Sequence, residues 1–191
     1  MKNIIILLTL CLSLNANGND FNYVWSNLVR FEGSAIDKNG DSYSKFGITK
    51  GTLNSYNKKF KKNYKFNSLT EQQAKTVAYK MVYEPNLLAF IIDDRIALAI
   101  CDWTYNSNPT NATKQIQKML GLKVDGLFSM EDIKYINTLS WEKFISKYYP
   151  KRKAYYYSLN NKKFIRGWLA RLNKIKELEL CQLLAKKSVE I

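Results

Sequence analysis

Asp20-Phe-Asn-Tyr-Val-Trp-Ser-Asn-Leu-Val-Arg-Phe-Glu-Gly33 decides how the rest of the chain is read. Phe21, Val24, Trp25, Leu28 and Val29 recur at three- and four-residue steps, which places them on one face of an amphipathic helix. Glu32 lies four residues after Leu28 and seven after Trp25, so a carboxylate continues the apolar stripe. Gly33 follows at once and suits the left-handed cap that ends a helix. Glu32 is therefore expected on the core-facing side of a last helical turn. Burial and the negative end of the helix dipole would both disfavour its ionised form and raise its pKa. A carboxylic acid kept protonated near neutral pH is what general-acid cleavage of a glycosidic bond requires. A helix-end Glu turned out to water is the alternative that spacing leaves open.

The next segment, Gly33-Ser-Ala-Ile-Asp-Lys-Asn-Gly-Asp-Ser-Tyr-Ser-Lys-Phe-Gly-Ile-Thr49, is short, polar and punctuated by glycine. It reads as a loop or small hairpin. It carries Asp37 and Asp41 together with the hydroxyls of Ser42, Ser44 and Thr49. Folded over a helix that ends in an acid, such a loop can bring a second carboxylate across a cleft, the pairing that glycoside hydrolysis uses.

Arg30-Phe-Glu-Gly33 followed by Lys45-Phe-Gly-Ile-Thr49 resembles the opening of the glycoside hydrolase family 108 muramidases, whose motif runs Glu-Gly-Gly, a polar loop, then Gly-Ile-Thr. The resemblance implies that Glu32 is the catalytic acid. Ser34 stands for the family's second glycine, and the family's loop is shortened here to Gly40-Asp-Ser-Tyr-Ser44. The order Glu, Asp nine residues on, then a hydroxyl is also similar to the T-even phage lysozymes. These likenesses imply Asp41, with Asp37 as the other candidate, for the second carboxylate. They imply Ser44 or Thr49 for holding water or substrate.

The chain opens with Met1-Lys-Asn and an apolar run from Ile4 to Leu14, too short to span a bilayer comfortably. With the small residues of Ala16-Asn-Gly18, this reads as a signal peptide over 1–18, and the product is expected to be exported, periplasmic or secreted, from a bacterium. Cys101 and Cys181 remain after its removal, either paired or buried as thiols. The absence of histidine argues against a zinc hydrolase and rules out a histidine-dependent triad. No metal and no cofactor are expected. Thirty Lys and Arg against sixteen Asp and Glu give a net charge of +14, which favours a polyanionic partner. The lysines are scattered rather than set on a nucleic-acid motif, so cell-wall glycan is the expected partner and nucleic acid is not. Neither a stable membrane anchor nor an oligomer is expected.

Helical periodicity dominates the remainder, so the class is mainly α. A short helix from Thr49 to about Lys58 leads to a lysine-rich connector, Lys58 to Lys65. Ser68-Leu-Thr-Glu71 fits a capping box and opens a helix lined by Ala74, Val77, Ala78, Met81 and Val82 that Pro85 ends. Asp93 or Asp94 caps Ile96-Ala-Leu-Ala-Ile-Cys101, a helix apolar all round that belongs in the middle of a core. There the chain turns polar as Asp102-Trp-Thr-Tyr-Asn-Ser-Asn-Pro109. Asp102, amid apolar neighbours, suggests a structural acid that caps or pairs with a lysine.

Tyr105-Asn-Ser107 resembles the Asn-Ser-Gly that follows the central helix in the same muramidases, which implies that Tyr105, Asn106 and Ser107 bind sugar. A helix-ending turn explains the same residues, and the two readings are compatible. Ala112 to Gly121 reads as a helix closed by glycine, and Leu122-Lys-Val-Asp-Gly126 as a tight turn. This resembles the helical peptidoglycan-binding module of these muramidases. Tyr148, Tyr149, Tyr155, Tyr156 and above all Trp168 are candidates for holding glycan, core packing being the alternative for each.

The combined expectation is a mainly α, lysozyme-like fold with a small loop or hairpin after the catalytic helix and a helical C-terminal half. Residues 19–107 would form the catalytic domain, and 108–186 a helical peptidoglycan-binding region packed on it. The expected reaction is general-acid cleavage of the β-1,4 bond between N-acetylmuramic acid and N-acetylglucosamine. A lytic transglycosylase and a non-catalytic binder of peptidoglycan or polyanions stay open.

Overall fold

The computed structural model describes residues 20–32 and 44–178. Eight α-helices and one hairpin occupy them: α1 (Phe21–Glu32), β1 (Ser44–Lys45), β2 (Ile48–Thr49), α2 (Lys50–Phe60), α3 (Glu71–Ala78), α4 (Asp94–Tyr105), α5 (Pro109–Leu120), α6 (Met130–Ile136), α7 (Trp141–Ser158) and α8 (Ile165–Lys176). The fold is mainly α and lysozyme-like, with the small hairpin the next described element after the first helix. Residues 1–18, read above as a signal peptide, the 33–43 segment with Asp37 and Asp41, the side chain of Glu32, and Cys181 lie outside the described residues.

Two hydrophobic cores share α1. Val24 and Leu28 pack into the larger one, built around α4 and completed by α5 to α8. Trp25 turns the other way, into a smaller core with Ile48, Leu53, Tyr56, Leu69, Ala74, Val77 and Ala78. The Trp25 indole Nε1 donates to Glu71 Oε1 at 3.2 Å, tying α1 to the start of α3. Phe21, Met81 and Tyr105 touch both cores. One helix thus serves as the partition between two lobes.

The central helix is α4, every residue of which from Ile96 to Thr104 is buried. Asp93 caps it, accepting from the backbone N–H groups of Arg95 and Ile96. Cys101 is buried within it, and burial pushes its thiol pKa up, as expected of an inert core thiol. The capping box that opens α3 is two residues further on than the sequence suggests. Thr70 and Gln73 exchange the hydrogen bonds instead of Ser68 and Glu71. Leu69 explains the shift: it is buried in the smaller core, which places it just outside the helix as the apolar plug before the cap.

Beyond α5 the chain turns on a polar knot. The buried amide of Gln117 donates to Asp125 Oδ1 at 3.0 Å and to the Leu127 carbonyl at 2.9 Å, and accepts from Asp125 N and Gly126 N. The Gln117 bond, with a second from Leu127 N, holds the Asp125 carboxyl down to about 2 from an ordinary 3.8. A folded-state pKa below the unfolded one contributes stability above pH 3.8 that is lost as pH falls toward 2. Asp125→Asn is therefore expected to melt below wild type at neutral pH, the deficit shrinking to nothing near pH 2. Melting temperatures of both proteins across that range check it.

Candidate active site

Two cavities share Ser107 in their walls, and the end of α1 borders one of them. One, of about 260 Å³, opens between the lobes: Gly47, Ile48, Thr52 and Ser55 line it from the hairpin and α2, facing Met81, Val82, Thr104, Tyr105, Ser107 and Pro109. The other, of about 330 Å³, is lined by Phe31, the residue before Glu32, with Asn106, Ser107, Tyr155, Tyr156, Leu159, Gly167, Trp168 and Arg171. The junction after α4 therefore forms the saddle between them, and the last turn of α1 borders the second.

The hairpin closes on a strained turn. Phe46 and Gly47 both have positive φ, +53° and +74°, between strands whose register pairs Ser44 with Thr49 and Lys45 with Ile48. That is the mirror-image turn that two-residue hairpins favour, with a phenylalanine where glycine or asparagine is cheaper. Tyr105 Oη donates to the Phe46 carbonyl at 2.6 Å and fastens the turn to α4. Its ring lies so close that a Cβ on Gly47 would sit 2.5 Å from a ring carbon. Gly47→Ala meets both the backbone penalty and the clash. It is expected to cost about 1–3 kcal/mol, read as a lower melting temperature, and to lower turnover by displacing the hairpin. Tyr105→Phe removes a single hydrogen bond and is expected to cost about 1 kcal/mol.

The expected substrate-binding residues divide. Asn106, Ser107, Tyr105 and Trp168 all line one cavity or both. Asn106 also caps α4, its amide donating to the Asp102 carbonyl at 2.9 Å. Thr49 and Ser44 do not line either cavity. Thr49 is the cap of α2, its hydroxyl accepting from Thr52 N at 3.1 Å, and Thr52 and Ser55 present their helix face to the cleft instead. These two stand three apart on one helical face, a spacing visible in the sequence, but the sequence does not say which face of α2 looks across the cleft.

Among the aromatics, Tyr148 is core: it is fully buried, and its hydroxyl donates to the Ala99 carbonyl at 2.8 Å. Tyr149 donates to Asn173 at 2.8 Å and stays outside both cavities. Tyr155, Tyr156 and Trp168 share the wall of the larger cavity, with Trp168 stacked on Tyr156 at 5.3 Å and 21°. Burial raises the Tyr156 phenol above its ordinary pKa against the opposing charge of Arg152.

Asp102 corrects the expectation of a lysine partner. It is wholly buried, and its Oδ1 accepts from Arg171 Nε of α8 at 2.5 Å. Its Oδ2 lies 3.7 Å from Arg152 Nη2 of α7. The Arg152 guanidinium sits against the rings of Trp103 and Tyr156, 4.5 and 4.7 Å from their centroids. Arginine suits this place because its flat, weakly hydrated cation tolerates burial between rings better than an ammonium does. Among the described residues, no cluster of three His, Cys, Asp or Glu is placed to hold a metal ion, and no helix is long and apolar enough to cross a membrane.

Residues 25–107 match the family Glycosyl hydrolase 108. The matched stretch begins within α1, includes Glu32, residues 33–43 and the hairpin, and stops at Ser107, which both cavities share. No curated protein matches the chain by sequence. The solved structure of Brucella abortus SagA is similar in fold, with a TM-score of 0.70 at 20% identity over 84% of this chain and 94% of that one.

Proposed function

We propose that this protein is a peptidoglycan hydrolase that cleaves the β-1,4 bond between N-acetylmuramic acid and N-acetylglucosamine, with Glu32 as general acid. The observation that carries the reading is the glycosyl hydrolase match over residues 25–107, within which Glu32 closes the helix shared by two lobes. Glu32 gives its proton to the bridging oxygen as the glycosidic bond breaks, and water then adds to the sugar cation. Asp41, with Asp37 second, faces the positive charge or orients that water. Because the Thr49 hydroxyl is engaged in capping α2, Ser44 is the better candidate for holding the water. Tyr105, Asn106, Ser107 and Trp168 bind the glycan along the cavities they line.

Residues 1–18 act as an export signal, and the basic chain works on the wall as a monomer. The 19–107 part carries the catalytic groups, and 108–186 adds glycan-binding surface through Tyr155 and Trp168. Digestion of purified wall tests the reaction. Fragments with reducing N-acetylmuramic acid ends support it, 1,6-anhydro ends point to a lytic transglycosylase, and no fragments at all indicate a binding protein.

Asp41→Asn is expected to slow hydrolysis at least about tenfold more than Asp37→Asn, the loss of one charge-stabilising group at the reacting sugar. In sequence Asp41 lies three residues before the hairpin that begins at Ser44, and Asp37 seven. Turnover of both variants on the same wall, with melting temperature as the folding check, decides it. An inactive Asp37→Asn beside an active Asp41→Asn swaps the two roles.

A further inference from the structure

The turn that joins α7 to α8 exposes apolar side chains within a stretch that carries no acid. Tyr157 is 56% exposed, Leu159 44% and Phe164 37%. Hydrogen bonds set the backbone beneath them. Asn160 N donates to the Tyr157 carbonyl at 3.1 Å, and Asn161 Oδ1 accepts from the backbone N–H groups of Lys163 and Phe164 at 3.2 and 3.3 Å. From Lys143 to Lys176 the chain has eleven Lys and Arg and no Asp or Glu. Arg152 and Arg171 turn inward onto Asp102, and none of the other nine is buried. Lys162 and Lys163 stand within the turn, Lys153 one helical turn before Tyr157, and Arg166 in the first turn of α8. Cations at a helix N-terminus work against its dipole, so stabilisation of α8 does not account for them.

We infer that this turn docks the protein, peripherally and reversibly, on a membrane surface rich in anionic lipid headgroups. Tyr157, Leu159 and Phe164 enter the boundary between headgroups and acyl chains, while Lys153, Lys162 and Arg166 meet lipid phosphates. The inference does not depend on the hydrolase reading. A lysine suits such a place because its stem lies along the apolar layer while its ammonium stays among the headgroups. Other occupants fit less well. A dissolved polyanion would engage the cations and leave the exposed apolar side chains without a role. A stable protein interface engages roughly 20–30 residues a side, with lysine depleted at its centre. Here Lys162 and Lys163 stand between Leu159 and Phe164 in one turn.

Co-sedimentation of the full chain with vesicles tests this, using phosphatidylcholine alone against phosphatidylcholine with roughly one third phosphatidylglycerol. Binding is expected to be at least about tenfold stronger on the anionic vesicles and to weaken with salt. The double variant Tyr157→Ser, Phe164→Ser, altered only at exposed positions, should bind them at least about fivefold more weakly. Lys162→Gln with Arg166→Gln should remove most of the anionic preference. Fluorescence gives a second readout. Trp25, Trp103 and Trp141 are buried, whereas Trp168 is half-buried and 6.0 Å from Phe164. Brominated acyl chains should therefore quench Trp168, and the quenching should disappear in Trp168→Phe.

Equal binding of neutral and anionic vesicles, or binding of neither, overturns the inference on wild-type protein alone. So does anionic binding without quenching by brominated lipid, whether or not the serine variant folds. Vesicle binding unchanged in a folded serine variant overturns it too, and single-stranded DNA bound as tightly by both proteins then assigns the cations to a dissolved polyanion.

Discussion

Glu32→Gln is expected to lower clearing of purified wall by a factor of about 10²–10⁴, the loss that follows removal of a general acid. The substitution exchanges a hydroxyl for an amine on the same carbon frame, so helix content and melting temperature should hardly move. Its place makes the effect specific. α1 is fixed on two sides, by Val24 and Leu28 in the larger core and by Trp25 in the smaller. The helix that carries Glu32 is therefore held by both cores, which suits the proton donor proposed at its end. A Glu32→Gln protein that retained more than about a tenth of wild-type clearing would be incompatible with a general-acid role of this size.

The parts of the fold that follow from short-range periodicity were legible in the chain. The stripe through Val24 and Leu28 reports a helix face because burial recurs with the helical period. The run from Ile96 to Cys101, apolar on every side, has no place except at the centre. Local capping was less determinate. Ser68 to Glu71 and Thr70 to Gln73 are overlapping solutions to one pattern, and the burial of Leu69 selects between them. Tyr148 and Tyr155 illustrate the harder case. They are seven residues apart on α7, the same face to within a small angle, yet one is sealed under α4 and the other borders a cavity. The difference is set by how far the neighbouring helices extend, which no local pattern records. Asp102 is harder still, because its partners come from 50 and 69 residues further along the chain. The sequence shows an acid in an apolar run, a sign that something must pair with it, without naming what.

That pairing carries the second large expectation. Asp102→Ala is expected to destabilise the fold by about 3–5 kcal/mol, because it leaves the wholly buried Arg152 guanidinium without its carboxylate and removes the Arg171 Nε bond. For a chain of this size that corresponds to a fall of about 6–20 °C in melting temperature. The response should be asymmetric. In Arg152→Met the carboxylate keeps its bond from Arg171 at 2.5 Å and its contact with the Asn106 amide at 3.4 Å. The expensive burial of a second cation between Trp103 and Tyr156 is removed, and a flexible apolar side chain fills the slot. Removing one partner of a buried pair is costly when the other is left uncompensated; here Asp102 keeps Arg171, so Arg152→Met should fall within about 1 kcal/mol of wild type, far short of Asp102→Ala. Thermal melts of the two variants under one condition decide the matter. Equal losses in both would mean that Arg152 itself, by packing between the rings, supplies the stability here attributed to the carboxylate at its centre.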